Sequence, residues 1–455
     1  MPFPGGHPGA HEGHADGGRD RALHDARPHG ARQRRARGLP RRIRSDLPRV
    51  HAGLTPDPEA PGRRREGRGG PIRPRALPCA DPLSGRPSGR AAEADHAPRL
   101  GPDAVGSRPP PVRRLLLGLF HATEAWRVPE EEVDLLRRDF PDVEVTRTHS
   151  KEELEEKVRE TEILFSWAPG NALVARGTRL RWIHAPAAGV GTFITPAVRE
   201  RGIVLTNSRG VHAVPIAEHT MGMLVALARQ LDRAIQDQIQ NRLDRERWWV
   251  GSGRPQELHG RTLGLFGYGA IGREIARRAL AFGMRVIAVR RNPLSAPAWE
   301  PDLLRALGLP AEEPRIEGVL GPSELGSMLG ESDAVVVAAA LTPETEGIFD
   351  AAAFRQMRRG AWFVNVARGK IVRERDLAAA LREGQVGGAA LDVFETEPLP
   401  RESELYNVRN VILTPHISGG STGFWPRAMR LFRENLRRDG AGLPLLNRVD
   451  LERGY

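Results

Sequence analysis

Residues 261–291 read RTLGLFGYGAIGREIARRALAFGMRVIAVRR. The apolar run TLGLF leads into Gly267-x-Gly269-x-x-Gly272, then into residues whose apolar members recur at helical spacing, then into a second apolar run, RVIAV. Strand, tight turn, helix and strand in that order make a dinucleotide-binding unit of a doubly wound α/β fold. Each glycine has a separate task there. The first permits the turn, the second lets backbone approach a diphosphate, and the third allows close helix packing. Ala270 and Ile271 open the helix, so their N–H groups are expected to face the phosphates.

About 20 residues past the glycines an acidic side chain normally accepts from the ribose 2′-hydroxyl. Arg290 and Arg291 stand there instead, and no Asp or Glu occurs from Ile275 to Trp299. Two guanidinium groups can pair with a 2′-phosphate. The expected cofactor is therefore NADP by preference, with NAD also admissible; a solvated arginine pair in an Arg-rich chain is the alternative reading.

Working outward, the same alternation of short apolar runs and amphipathic stretches fills residues 113–455. RRLLLGLF, VEVTRT, EILFSWA, RWIHAPAAG and IVLTNS read as strands, PEEEVDLLRRDFP, SKEELEEKVRET and TPAVRERG as helices, and PGN as a loop. From Val214 one long helix is expected through PIAEHTMGMLVALARQLDRAIQDQIQN, and STGFWPRAMRLFRENLRRDG is a further amphipathic helix suited to packing back on the first domain. The expected fold class is two Rossmann-like doubly wound parallel-sheet domains: residues 113–212 with 417–455, and 213–416. A longer linker, residues 292–321, follows the second strand of the glycine unit and carries no functional reading.

Residues 1–112 have a different texture, rich in Arg, Pro, Gly, Ala and His with no sustained period, and a disordered extension is expected. They hold 21 arginines, no lysine and 12 acidic residues, so +9 of the chain's net +11 lies there and +2 remains for the rest. That distribution argues against a nucleic-acid-binding fold. His7, His11 and His14 are an accident of composition, and no metal is expected. The longest apolar run, Ala334–Leu341, is far short of the roughly twenty residues a membrane span needs. A single cysteine, Cys79, excludes an internal disulfide and fits a cytoplasmic location.

Three further stretches complete a pattern: LRWIHAPAAGVGTFITPAVRERGIVLTNSRGVHAVPIAEH, GAWFVNVARGKIVRERDLAAALREGQVGGAALDVFETEPLP and VILTPHISGGS. With the glycine unit and LTPETEGIFD they resemble, in the right order, the D-isomer-specific 2-hydroxyacid dehydrogenase family, over about residues 113–455. The resemblance implies an oxidoreductase that interconverts a small D-2-hydroxy acid and its 2-oxo acid. It maps the family's catalytic arginine, glutamate and histidine onto Arg368 in NVARG, Glu397 in ETEP and His416 in TPH. Those types suit the chemistry. Removing a hydride from C2 requires a base for the hydroxyl proton, and the reverse requires an acid. Histidine titrates in the useful range, a neighbouring carboxylate favours its protonated form, and an arginine fork can hold the substrate carboxylate or carbonyl.

The resemblance also assigns Val366, Ala367, Asp392 and Gly419 to the cofactor, although an Asp closing a buried strand can equally cap local backbone. Ala188, Gly189, Val190 and Gly191 form the loop expected to meet the substrate carboxylate. Gly191 stands where the family often has Asp or Asn, and AALTPET replaces the usual LPLTPET, which leaves the substrate open; glyoxylate and hydroxypyruvate are the first candidates. A homodimer is expected. Formate dehydrogenases, which carry glutamine in place of the glutamate, are disfavoured by Glu397 and by Pro415 ahead of His416. A non-enzymatic dinucleotide-sensing scaffold, like the corepressors of this fold, is the competing reading.

Overall fold

A computed structural model describes residues 113–250, 254–293 and 299–454; the stretch to residue 112, with Cys79 and His7, His11 and His14, lies outside them. The first α/β series runs β1 (Arg113–Gly118), α1 (Glu130–Asp139), β2 (Val143–Arg147), α2 (Lys151–Lys157), β3 (Ile163–Ser166), α3 (Gly170–Arg176), β4 (Trp182–Ala185), α4 (Pro196–Glu200) and β5 (Val204–Asn207). All pairings are parallel, in the order β2-β1-β3-β4-β5. Its inner strands β3 and β4 are buried throughout, as expected of a sheet covered by helices on both faces. Local signals set the helix starts: the Ser150 hydroxyl accepts from Glu153 N ahead of α2, and Thr195 does the same for α4, whose first residue is Pro196. The PGN segment, expected to be a loop throughout, instead begins α3.

The second series runs α5 (Ala213–Arg229), α6 (Leu231–Ile239), β6 (Thr262–Phe266), α7 (Ala270–Ala281), β7 (Arg285–Val289), α8 (Pro301–Leu307), β8 (Gly318–Leu320), α9 (Leu325–Glu331), β9 (Ala334–Val337), α10 (Ala351–Gln356), β10 (Ala361–Asn365), α11 (Glu374–Arg382), β11 (Val386–Leu391), β12 (Val411–Leu413) and α12 (Phe424–Gly440). Its parallel sheet has the order β12-β11-β10-β9-β6-β7-β8, so the order in which successive strands are laid down switches between β6 and β9. Ligands of open α/β sheets bind at the carboxyl ends of strands at such a switch, and the glycine motif follows β6.

Two further expectations are corrected. The long helix from Val214 is two helices, because Gln230 takes a left-handed conformation (φ 52°, ψ 44°) that ends α5 and redirects the chain into α6. Residues 292–321 are more than a linker. They contain β8, which extends the second sheet, and α8, whose Leu303, Leu304, Ala306 and Leu307 are buried in the same apolar cluster as Leu115, Phe165 and Trp182 of the first sheet. Helix α12 joins that cluster through Phe424, Trp425, Met429 and Phe432, and the Phe432 ring lies 4.4 Å from Phe165 and 5.4 Å from Trp182. Arg438 of α12, itself buried, reaches Asp302 of α8 at 2.5 Å and the Glu434 carboxylate at 3.0 Å.

Candidate active site

The site lies where the carboxyl ends of β6, β9, β10 and β11 face the loops that follow β4 and β5. In the glycine loop the structure separates the three glycines by what surrounds them. Gly267 has φ +106°, and a Cβ there would lie 2.5 Å from Ala339 N. A Cβ on Gly272 would meet Gly267 O at 2.3 Å. Around Gly269 nothing stands within 4 Å, so the face that the phosphates of a dinucleotide would approach is open. Gly269 precedes α7, and Ala270 and Ile271 form its first residues, with backbone N–H groups that no upstream carbonyl of the helix can take. The chain therefore fits a dinucleotide at this point.

At the end of β7, Arg290 donates through Nε to Asn292 O at 2.8 Å, and an Arg291 guanidinium nitrogen lies 3.8 Å from Glu344. Glu344 belongs to LTPET, beyond β9, so this acid reaches the arginine pair only through the fold. Both side chains are more than half exposed, and such a surface ion pair is weak.

Glu397 Oε2 lies 2.7 Å from His416 Nδ1, and Glu397 Oε1 accepts from Phe394 N at 3.1 Å. The carboxylate is thus held from one side while it holds the ring on the other. That contact favours the tautomer with a hydrogen on Nδ1. His416 itself has φ +52°, a conformation few non-glycine residues adopt. It is enforced by Asp392, fully buried at the end of β11, whose Oδ1 accepts from Thr414 Oγ1 at 2.6 Å and Ile417 N at 2.9 Å while Oδ2 accepts from Ser418 N at 2.9 Å. The Asp392 carboxylate is engaged as a cap for the histidine loop. His219 of α5 extends the network, its Nε2 standing 3.1 Å from Thr414 Oγ1. Sequence patterning does not point to Thr414 or His219; the only local signal is that Thr414 opens TPH and His219 closes AEH.

Arg368 follows β10. Its guanidinium donates to Ala367 O at 2.6 Å, and Asn365 Nδ2 donates to Arg368 O at 3.0 Å, which fixes the turn that contains the buried Val366 and Ala367. The next residue, Gly369, lies so close to the Phe394 carbonyl that a Cβ would fall 1.8 Å from its carbon, so only glycine lets NVARG lie against DVFE. Across the cleft, an Arg368 guanidinium nitrogen lies 3.8 Å from the Cβ position of Gly189. The arginine and the loop after β4 therefore meet. In that loop Val190 is buried in the core, Asn207 Nδ2 donates to Ala188 O at 2.9 Å, and Ala188, Gly189 and Gly191 are exposed. Gly419 lies against α5, its carbonyl 3.0 Å from His212 Nδ1.

Burial shapes the histidines nearby. His184 on β4 is wholly enclosed, 2.7 Å from Thr206 Oγ1, and desolvation brings its pKa down to about 3, so it is a neutral core residue. His212, stacked on Phe424 with rings 5.0 Å apart, is also lowered, chiefly by burial.

Comparison with known proteins agrees with this architecture. Residues 221–418 match the model of the D-isomer specific 2-hydroxyacid dehydrogenase NAD-binding domain. The chain is 32% identical over 323 residues to a glyoxylate reductase of Thermococcus kodakarensis, covering 68% of this chain and 90% of that protein. It is 32% identical over 296 residues to a D-3-phosphoglycerate dehydrogenase of Methanocaldococcus jannaschii, where 64% of this chain spans about half, 52%, of the relative. Among solved structures, an NADPH-dependent glyoxylate/hydroxypyruvate reductase of Sinorhizobium meliloti in complex with NADP and sulfate superposes with a TM-score of 0.58 at 27% identity, over 75% of this chain and all of that one. The chain belongs to the D-isomer specific 2-hydroxyacid dehydrogenase family, the NAD(P)-dependent oxidoreductases of 2-hydroxy and 2-oxo acids.

Proposed function

We propose that the chain reduces a small 2-oxo acid, glyoxylate or hydroxypyruvate first among candidates, to the D-2-hydroxy acid with NADPH in preference to NADH. The observation that carries this reading is the 2.7 Å contact of His416 Nδ1 with Glu397; the approach of Arg368 to the Gly189 loop supports it. In this reading residues 113–212 with 417–455 bind substrate, and residues 213–416 bind the dinucleotide, whose nicotinamide supplies the hydride when bound. Arg368 and the backbone N–H groups of Ala188–Gly191 hold the substrate carboxylate and carbonyl. His416 Nε2 gives a proton to the carbonyl oxygen in reduction and takes it back in oxidation, while Glu397 steadies the imidazolium. Asp392 acts through the histidine loop that it caps.

NADP preference rests on charge at the end of β7. A 2′-phosphate leaving water must be paired, and Arg290 and Arg291 offer charge-assisted hydrogen bonds where an acid would repel it. The relative of Sinorhizobium meliloti is described as NADPH-dependent, which agrees. A homodimer belongs to this reading, supported by α6 and the segment after it, where the exposed Leu231, Ile235, Ile239 and Leu243 recur every four residues, with Trp249 and Val250 beyond.

The test is a panel of 2-oxo acids run with NADPH and NADH in parallel, following absorbance of the reduced nicotinamide. Catalytic efficiency with NADPH is expected to be at least about tenfold higher, the scale of one charge-assisted contact. The double variant Arg290→Asp, Arg291→Ala is expected to reverse the order. Equal use of both cofactors by the natural chain defeats the NADP assignment, and no turnover of any 2-oxo acid favours a sensing scaffold instead.

A further inference from the structure

The diphosphate of a dinucleotide carries two negative charges, yet the loop Gly267–Gly272 has no cationic side chain to meet them. The nearest arginine on α7, Arg273, closes the first turn of the helix through its N–H to Gly269 O at 2.9 Å, and its guanidinium is already paired with Glu313 at 2.5 Å. Backbone N–H groups alone remain on that side.

Across the cleft stands Arg209, between β5 of the first sheet and α5 of the second series. Its guanidinium lies 5.5 Å from the centre of the Trp299 ring, and the Arg273 guanidinium lies 5.8 Å from the same ring. The two arginines therefore flank one indole, and one of them belongs to the first turn of the phosphate-facing helix. A second set of contacts gives the same placement. Ala270, the first residue of α7, shares an apolar cluster with Val211 and Ala213, just beyond Arg209, and a Cβ on Gly210 would lie 3.5 Å from the Trp299 ring and 2.4 Å from Leu307 of α8. Arg209 thus stands at the N-terminal end of α7, not at the end of β7 where the ribose arginines are.

The environment of Arg209 is that of a charge awaiting a partner. Among the described residues no carboxylate forms an ion pair with it and no acceptor takes a hydrogen bond from its guanidinium; its recorded polar contacts are made by backbone, Arg209 N to Asn207 Oδ1 at 3.2 Å and Asn447 Nδ2 to Arg209 O at 2.8 Å. The side chain reaches solvent, yet surrounding protein pulls its pKa below the ordinary arginine value, the combination found in a recess. An arginine so placed keeps its charge and gains most from an anion entering beside it.

We propose that Arg209 binds the diphosphate bridge of the nicotinamide dinucleotide from the first-domain side of the cleft, held in place by Trp299 of the β7–β8 connection. This rests on the dinucleotide reading of the glycine loop. The bridge is then gripped by both sheets, by α7 N–H groups from one and by Arg209 from the other. The long connection after β7 acquires a task, since Trp299 orients the guanidinium and α8 anchors the tryptophan in the first core.

Binding of NADH and of NADPH to the purified full chain, followed by tryptophan fluorescence and by calorimetry without substrate, tests the proposal. Arg209→Ala is expected to weaken both dinucleotides by the same factor, about tenfold or more, on the scale of a lost hydrogen bond to a charged group. Arg209→Lys, which keeps a charge, is expected to recover part of the loss, and thermal unfolding midpoints should match the natural chain. Unchanged affinity for both dinucleotides overturns the proposal. So does a loss confined to NADPH, which would put Arg209 on the 2′-phosphate. If Arg209→Ala does not fold, the comparison of Arg209→Lys with Arg209→Gln decides by the same criterion. A natural chain that binds neither dinucleotide defeats the glycine-loop reading itself.

Discussion

At the scale of single residues, the site depends on groups that act through others. His416 occupies a left-handed conformation, which for a non-glycine residue costs of order 1–3 kcal/mol and persists only where surroundings over-determine it. Asp392 supplies that determination with three accepted hydrogen bonds from one buried carboxylate. Glu397 then holds Nδ1 of the ring. In the proposed reaction, replacing His416 by Ala removes the proton donor and leaves the glycine loop untouched. Reduction is expected to slow by about 100-fold or more, the usual share of general acid catalysis, with dinucleotide affinity nearly unchanged. Turnover within about tenfold of the natural chain would remove His416 from the mechanism.

At the scale of elements, the segment from Trp299 to Leu320 matters most. Helix α8 follows β7 of the second sheet in sequence, yet its apolar residues lie in the core built around the first. Glu313 further along binds Arg273, and Glu312 O accepts from Arg277 at 2.6 Å, so the same segment also lies against α7. Leu307, 1% exposed, is the deepest residue of α8. Leu307→Ala is expected to destabilise the protein by roughly 2–4 kcal/mol, the range for a leucine removed from a packed core, seen as a lower midpoint of denaturant unfolding. A solvated linker would give a change within about 0.5 kcal/mol, and that result would refute the packing role.

For the whole molecule, acid sensitivity has a named contributor. His184 is enclosed by Phe165, Trp182 and Phe432, and its pKa of about 3 lies below that of an unfolded histidine near 6.5. The unfolded chain therefore binds a proton that the native chain refuses. Stability contributed by neutral His184 is complete above pH 6.5 and is lost as pH falls from there toward 3, at about 1.4 kcal/mol per pH unit. Between pH 7 and pH 5 the His184 share amounts to about 2 kcal/mol. Denaturant unfolding of the natural chain and of His184→Asn at both pH values measures it: the variant should lose less on acidification, and equal losses would exclude His184 as the source.

The sequence alone determined the architecture and the motifs of the candidate site, because both are local. Period-2 and period-3.6 patterning marks strands and helices within a few residues of themselves, and the glycines of GYGAIG declare a close backbone approach wherever they stand. NVARG, ETEP and TPH were legible for the same reason, each motif being contiguous. What only the tertiary structure decided depends on residues far apart along the chain. The break at Gln230 has no glycine or proline to announce it. The packing of α8 is invisible because a short amphipathic helix does not say which core will bury it. Asp392 reads in sequence as either a cofactor contact or a backbone cap; that Thr414, Ile417 and Ser418 donate to its oxygens is decided by the turn back from β12. Glu344 reaches Arg291, and Trp299 reaches Arg209, across 53 and 90 residues of chain. Charge and stacking act through space, so no spacing in the sequence records them.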